Sequence, residues 1–271
     1  MSVDPIRSGA SADLRDVYEQ QYSATGADAR LYGGWRELCG AGKAAHVAEL
    51  VGALPERPRR IADVGCGDGV LMTLLARRGV GEVRHGYDIS ERAVISARTR
   101  PEIERAERFD GRTLPVAHGA YDLGVLSHVL EHVPDPLPLL RETARACRAV
   151  VVEVPLEDNV SASRSSAERG REAIGHLHRF SRADVHELVA RAGLQVAAEL
   201  ADPLPLAVHR YFADTPVRRM KATVKAVARR ALFAAAPKRA ERLFTVHYAC
   251  ICVPSGAAAR SARSGRSITA P

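Results

Sequence analysis

The sequence has no long apolar run. Nowhere do about 18 consecutive apolar residues occur, the length that spans a bilayer, so no transmembrane helix is expected. The opening MSVDPIRSGASADLRD lacks the apolar stretch of a secretory signal, so none is expected there. Cysteine is sparse: five residues, an odd and scattered set, which points to a reducing cytoplasm rather than a disulfide framework. Cys250 and Cys252 lie two apart in a strand-like run and so face one side. A C-x-C pair alone makes a poor metal site, and core packing is the expectation. No internal repeat is evident. Acidic residues are scarce in one place: between Arg210 and Arg242 ten Lys and Arg accompany only Asp214 and Glu241. That segment alone carries +8, while the whole chain carries +7, so the remainder is close to neutral. A basic total would otherwise hint at nucleic acid. Here the charge belongs to one local feature.

What the chain does have is length and alternation. Its 271 residues can bury one full α/β core with some left for lids. Residues 1–12 are small and polar and are expected to be disordered, as is the Ser/Ala/Arg-rich tail 255–271. Residues 13–55 read as a helical cap, with a clear helix over 41–54 whose Val47, Leu50, Val51 and Leu54 share a face. From 56 to 202, strands are expected at 60–64, 83–88, 105–109, 121–126, 149–154 and 194–200. Helices are expected near 70–79, 90–99, 136–147 and 181–193, the last capped by Ser181. This alternation predicts a parallel sheet with helices on both faces. Pro203 and Pro205 break the pattern, 203–245 reads as a basic helical segment, and 246–254 as a final strand.

The stretch Ile61-Ala62-Asp63-Val64-Gly65-Cys66-Gly67-Asp68-Gly69 organises the rest. It reads as a buried strand, a glycine turn and the start of a helix. Glycine loops of this kind let backbone approach a ligand closely, and the dinucleotide version offers helix N–H groups to a pyrophosphate. Here the spacing differs, and Asp63 and Asp68 flank the turn. Carboxylates there repel a pyrophosphate and attract an ammonium or sulfonium. Asp88 ends the next strand, about 20 positions on, where a ribose-hydroxyl ligand is usual. Asp63, Asp88, Asp110 and Ser127 all fall at strand carboxyl ends, where ligands bind in such sheets.

Four segments in order, IADVGCGDG at 61–69, GYDIS at 86–90, RFDGRTLPV at 108–116 and YDLGVLSHVLEHVPDP at 121–136, resemble the class I S-adenosylmethionine-dependent methyltransferases. The resemblance covers roughly residues 60–200. It implies a Rossmann-like sheet, mostly parallel, of seven strands with the last antiparallel. An N-terminal helical cap and a helical insertion before the last strand complete the expected fold. It also implies S-adenosylmethionine as methyl donor and S-adenosylhomocysteine as product. Carried over by the resemblance, Asp63, Gly65, Cys66, Gly67, Asp68 and Gly69 meet the methionine portion. Asp88 meets the ribose, Ile89 the adenine face, and Asp110 with Gly111 the adenine edge. Ser127 and His128 border the sulfonium. Asp88 has the alternative of a helix cap, although Ser90 suits that better, and Asp110 the alternative of a plain turn.

A catalytic base is hard to read from sequence, because methyl transfer draws much of its rate from positioning. His128 and His176 are the candidates, since histidine titrates near neutrality. His128 and His132 are four apart, a metal-pair spacing, but no metal is expected, and His132 reads as structural. His176 and His178 alternate, so at most one enters the pocket. Tyr18, Tyr22, Tyr32 and Trp35 either line a lid or fasten the cap to the core. Glu153 lies at the pocket edge, and Arg164, Arg169 and Arg171 sit in a polar loop. In the basic helix, Val217, Met220, Val224, Val227 and Ala231 share a face, with Arg218, Lys221, Lys225 and Arg229 on the other side. A lid or packed helix, contact with a membrane surface through 216–236, and contact with RNA all remain open. No aromatic stacking positions favour RNA. The reading is a cytoplasmic enzyme that methylates oxygen or nitrogen of a small molecule, in bacterial specialised metabolism. The alternatives are an RNA methyltransferase using 210–242 and a cofactor-binding protein without turnover.

Overall fold

The structure, a computed structural model, describes residues 26–165, 168–169 and 174–256, together with Glu19 and Tyr22. The expected disorder of 1–12, most of the tail, and the candidates Tyr18 and Arg171 lie outside the described residues.

Seven strands form one sheet: β1 (Arg60–Val64), β2 (Val83–Asp88), β3 (Arg105–Arg108), β4 (Tyr121–Ser127), β5 (Cys147–Leu156), β6 (Leu194–Asp202) and β7 (Val246–Pro254). Their order is β3-β2-β1-β4-β5-β7-β6. The pairs β1–β2, β1–β4, β2–β3 and β4–β5 are parallel, and β7 runs antiparallel to both β5 and β6. The sheet is therefore the expected Rossmann-like one. Between β1 and β4 the order reverses direction, which opens a crevice beyond their carboxyl ends.

Both faces of the sheet are buried, and alternate residues serve opposite sides. Leu123, Val125, Ala149 and Val151 join one core with Ala44, Val47, Leu71, Leu74 and Leu75. Leu126, Val150, Val152 and Val154 join the other with Leu139, Leu140, Val185 and Leu188. The first core is covered by α1 (Gly26–Leu50) and α2 (Val70–Arg77); the second by α4 (Pro136–Ala146) and α5 (Arg182–Arg191), with α3 (Glu91–Arg98) beyond β2. Caps fix the starts: Ser90 on α3, Asp135 on α4, and a reciprocal Ser181–Asp184 capping box on α5. Cys250 and Cys252 are buried in the core, their sulfurs 3.6 Å apart.

Two elements differ from the sequence reading. α1 begins at Gly26, well before the expected helix over 41–54, and ends in a short 3-10 turn, Val51–Ala53. Its early glycines hide it from periodicity. At Gly40 the absence of a side chain is what lets α1 approach α2, because a Cβ there would meet Val70 at 2.8 Å and Leu74 at 3.0 Å. The segment between β6 and β7 holds three helices rather than one: α6 (Leu206–Arg210), α7 (Pro216–Ala235) and α8 (Pro237–Leu243). Val217, Met220, Val224 and Val227 face solvent, while Ala226 is buried and Leu232 and Phe233 rest on the core.

Candidate functional site

After β1 the chain turns through 65–69 with Gly65, Gly67 and Gly69 all at positive φ (82°, 55° and 77°). The Gly65 and Cys66 amides donate to the Tyr87 carbonyl at 2.7 and 3.1 Å, which ties the loop to β2. Asp88 completes the tie: its carboxylate accepts from Gly67 N at 2.8 Å and Ser90 N at 2.9 Å. A side chain at Gly67 would collide with the Tyr22 hydroxyl. Tyr22 thus lies over the loop, with the Arg36 guanidinium 5.2 Å from its ring centre. Burial, reinforced by Asp88 and Asp68, pushes the Tyr22 phenol far up. Nearby, Glu19 accepts from Glu91 N at 2.6 Å at the start of α3.

The carboxylates at the loop are not equivalent. Asp63 is buried, its Oδ2 has no hydrogen-bond partner, and burial raises its pKa to about 7 against the opposing pull of Lys43. Burial likewise raises Asp88, with the backbone amides pulling the other way. Asp68 departs from its expected part in attracting a cation: Arg36 pairs with it at 2.8 Å and Arg100 at 3.5 Å, so its charge is already met. Asp110 is exposed, and its Oδ1 accepts from Arg112 N and Thr113 N, both at 2.7 Å. That is the turn role the sequence offered as the alternative. Gly111 does lie against Ile89, where a Cβ would meet the Ile89 side chain at 3.2 Å. Ile89, Asp110 and Gly111 therefore stand together at one wall.

Beyond β4 and β5 the crevice is lined by histidines and acids. Glu153 is fully buried and accepts from His46 Nδ1 at 2.8 Å and Ser127 Oγ at 2.6 Å. His46 Nε2 lies 3.8 Å from Asp202. Burial would lower His46, but Asp202 and Glu153 overcome it and hold the pKa at about 9. Burial would raise Glu153, but His46 and the neighbouring His128 and Lys43 bring it to about 2. The pair is charged. His46 and Lys43 come from α1 and His247 from β7, so sequence order gave no sign of them; only the pairing of β7 with β5 and the packing of α1 bring them here.

His128 has φ of 58°, the only positive value at a non-glycine among the described residues. Such a conformation is uncommon and costly, and clusters at functional sites. Its amide donates to the Glu153 carbonyl at 2.9 Å, its ring packs against His247 at 4.7 Å, and its Nε2 is buried without a partner. Burial, then Lys43, lowers its pKa to about 3, and His247 is also lowered to about 3. Burial therefore disfavours the imidazolium form of His128, which sets it apart from the base titrating near neutrality that the sequence suggested. Its Nδ1 lies 3.1 Å from Glu131 Oε1, close but outside hydrogen-bond geometry, and burial raises Glu131.

The loop 175–178 docks on 131–133. Leu177 N and His178 N donate to the Glu131 carbonyl, and His132 Nδ1 donates to the Gly175 carbonyl at 3.1 Å. His176 pairs with Glu157 at 2.8 Å and packs edge-on to His132, while His178 donates to the Val133 carbonyl and stacks on Phe180. The two alternate histidines indeed serve different neighbours. Of the cap aromatics, Trp35 packs on Tyr211 and Phe212 and Tyr32 is exposed, so these two fasten α1 to the 206–212 region or face solvent.

Among the described residues two sets of donors could hold a metal ion, His128–Glu153–His247 and Glu131–His132–His176, the donor atoms of each lying within 4.8 Å of one another. His128 and His132, the spacing noted in the sequence, fall in different sets. In the first set both Glu153 oxygens already accept hydrogen bonds, and His46 and Lys43 add positive charge. That arrangement suits a polar acceptor better than a cation.

A profile of the methyltransferase-domain family matches residues 36–199, more than half of the chain. The fold and site define the class, and the chain belongs to this family: it is a class I S-adenosylmethionine-dependent methyltransferase by descent. It is 35% identical over 111 residues to the ubiquinone biosynthesis O-methyltransferase of Bordetella avium, covering 39% of this chain and 42% of that protein. The chain thus spans about two-fifths of that relative's length. In fold it is similar to the complex between the Haloferax volcanii Trm112 methyltransferase activator and a methyltransferase (TM-score 0.61, 17% identity, 88% of this chain and 97% of that one). It is also similar to the magnesium protoporphyrin IX methyltransferase of Synechocystis with bound S-adenosylhomocysteine (TM-score 0.53, 16% identity, 89% and 94%).

Proposed function

We propose that this chain transfers a methyl group from S-adenosylmethionine to a hydroxyl oxygen or an amine nitrogen of a small molecule, within bacterial specialised metabolism. The name of the O-methyltransferase relative favours oxygen. One observation carries the reading: Asp63 offers a buried carboxylate oxygen with no partner beside a three-glycine loop at the sheet's crevice. A buried acceptor left unmatched costs stability unless a ligand meets it. A donor with an ammonium and a sulfonium supplies what is missing.

Asp63 and the loop 65–69 would hold the methionine portion, Asp88 the ribose, and Ile89 with Asp110 and Gly111 the adenine. When bound, the donor supplies a sulfonium-activated methyl group that the acceptor's lone pair displaces in line, leaving a neutral thioether. Ser127 and His128 would border the acceptor, and His128 Nε2, buried without a partner, would orient it by accepting its hydrogen bond. His176, oriented by Glu157, takes the proton that leaves the oxygen or nitrogen. The charged His46–Glu153 pair fixes Ser127 and keeps that wall polar.

The test is turnover with hydroxylated and amino-substituted aromatic acceptors, read as S-adenosylhomocysteine formed. His176→Asn is expected to lower kcat by about 10²- to 10⁴-fold with donor affinity unchanged. Donor binding without product from any acceptor would replace the enzyme reading with that of a cofactor-binding protein.

A further inference from the structure

α7 presents its apolar side outward. Val217, Met220, Val224 and Val227 recur at helical spacing and are 55–64% exposed, so they form one continuous ridge. The opposite side, with Ala226 buried and Leu232 and Phe233 packed on the core, fastens the helix to the domain. Arg218, Lys221 and Lys225 flank the ridge on one side and Arg219 and Arg230 on the other. Arg229 is occupied over the Phe244 ring at 4.8 Å, and among the described residues only Arg218 has a helix-local counter-ion, Asp214 at 3.0 Å. Burial, then Arg229 and Arg164, lowers the proton affinity of Lys225, and burial with Arg164 lowers that of Arg229, so positive charge here is crowded rather than balanced. On the neighbouring elements Phe212 and Leu31 are also exposed. Tyr211 joins them by donating to the Leu31 carbonyl at 2.7 Å.

An aliphatic ridge between two cationic rows is the pattern of a helix lying in a bilayer interface, apolar side down, with Lys and Arg reaching lipid phosphates. We propose that α7 is a docking surface for an anionic phospholipid bilayer, placing the domain against a membrane. A second copy of the chain is disfavoured, since an isologous contact would set the same uncompensated cations against themselves. RNA would leave the ridge without a partner, because bases stack on aromatic rings and the ridge has none.

The experiment is co-sedimentation of the full chain with vesicles of phosphatidylcholine alone and with added phosphatidylglycerol, a readout independent of methyl transfer. Partition onto the anionic vesicles is expected to exceed that onto neutral ones by about tenfold or more, and to fall with salt. M220S/V224S should release the protein from vesicles while its melting temperature and donor affinity stay unchanged. K221E/R219E should do the same. Equal partition onto both vesicle types would overturn the proposal. So would loss of binding in the charge variant alone, which would mean a polyanion site without insertion. Salt-sensitive tRNA binding that the ridge variant leaves intact would overturn it in favour of nucleic acid. Concentration-dependent dimers abolished by the ridge variant would overturn it in favour of self-association.

Discussion

Asp63 and the His46–Glu153 pair carry opposite consequences for pH. Asp63 is raised from 3.8 to about 7, so near pH 6 it is mostly protonated in the empty protein. A cationic donor stabilises its charged form. Donor binding should therefore release close to one proton at pH 6 and almost none at pH 8.5. Titration calorimetry in buffers of different ionisation enthalpy reads this directly, and Asp63→Asn should abolish the release. In the other direction, His46 is raised from 6.5 to about 9, so its contribution to stability is complete below 6.5 and is lost as pH rises through 9. Glu153 is lowered from 4.5 to about 2, so its contribution is complete above 4.5 and is lost as pH falls through 2. Above about pH 8.5, where Asp63 has finished titrating, the melting temperature should decline toward pH 10, and His46→Gln should flatten that decline. At this scale the sequence pointed to Asp63 and Asp88. It could not foresee that Asp68 is matched by Arg36 and Arg100, because those partners lie 32 positions away on either side.

The glycine loop and α1 form the site as a pair of elements. The loop can bend as it does only with glycine at positive φ, and Tyr22 fills the space a side chain at Gly67 would need. Gly67→Ala therefore combines backbone strain of about 1 kcal/mol or more with a collision at Tyr22. Donor affinity should fall by at least about tenfold while the sheet stays folded, as read by binding calorimetry and circular dichroism. The strand and helix sequence from β1 to β5 was legible because two periods alternate there with clear caps. α1 was only half legible, since glycine-rich residues carry no helical signal and its early turns are held by Arg36 on Asp68 and Trp35 on Tyr211 and Phe212. The apolar stripe of α7 was read correctly as a stripe, yet periodicity does not say whether a stripe faces a core or a solvent-side partner.

For the whole molecule, ligand binding and folding are linked. S-adenosylhomocysteine at about 100 times its Kd should stabilise the native state by about 2.7 kcal/mol. For a domain of this size that raises the melting temperature by about 5–10 °C. NAD should give no such rise, since a pyrophosphate placed among Asp63 and Asp88 is repelled. A rise with NAD and none with S-adenosylhomocysteine would overturn the cofactor reading. Among the described residues no helix is long and apolar enough to cross a membrane, so contact with a bilayer would be through a surface such as α7.

Local order along the chain was enough to determine the sheet, its helices and the carboxylates at successive strand tips. Backbone periodicity and turn chemistry act over a few residues, and those are what a sequence displays. Which histidines share the crevice beyond β4 and β5, which acid keeps an unpartnered oxygen, and which way α7 turns its ridge were decided only by tertiary packing. Each depends on residues far apart in the chain, brought together when β7 inserts between β5 and β6 and α1 closes over the loop. Burial and neighbouring charge then set protonation states that no spacing encodes.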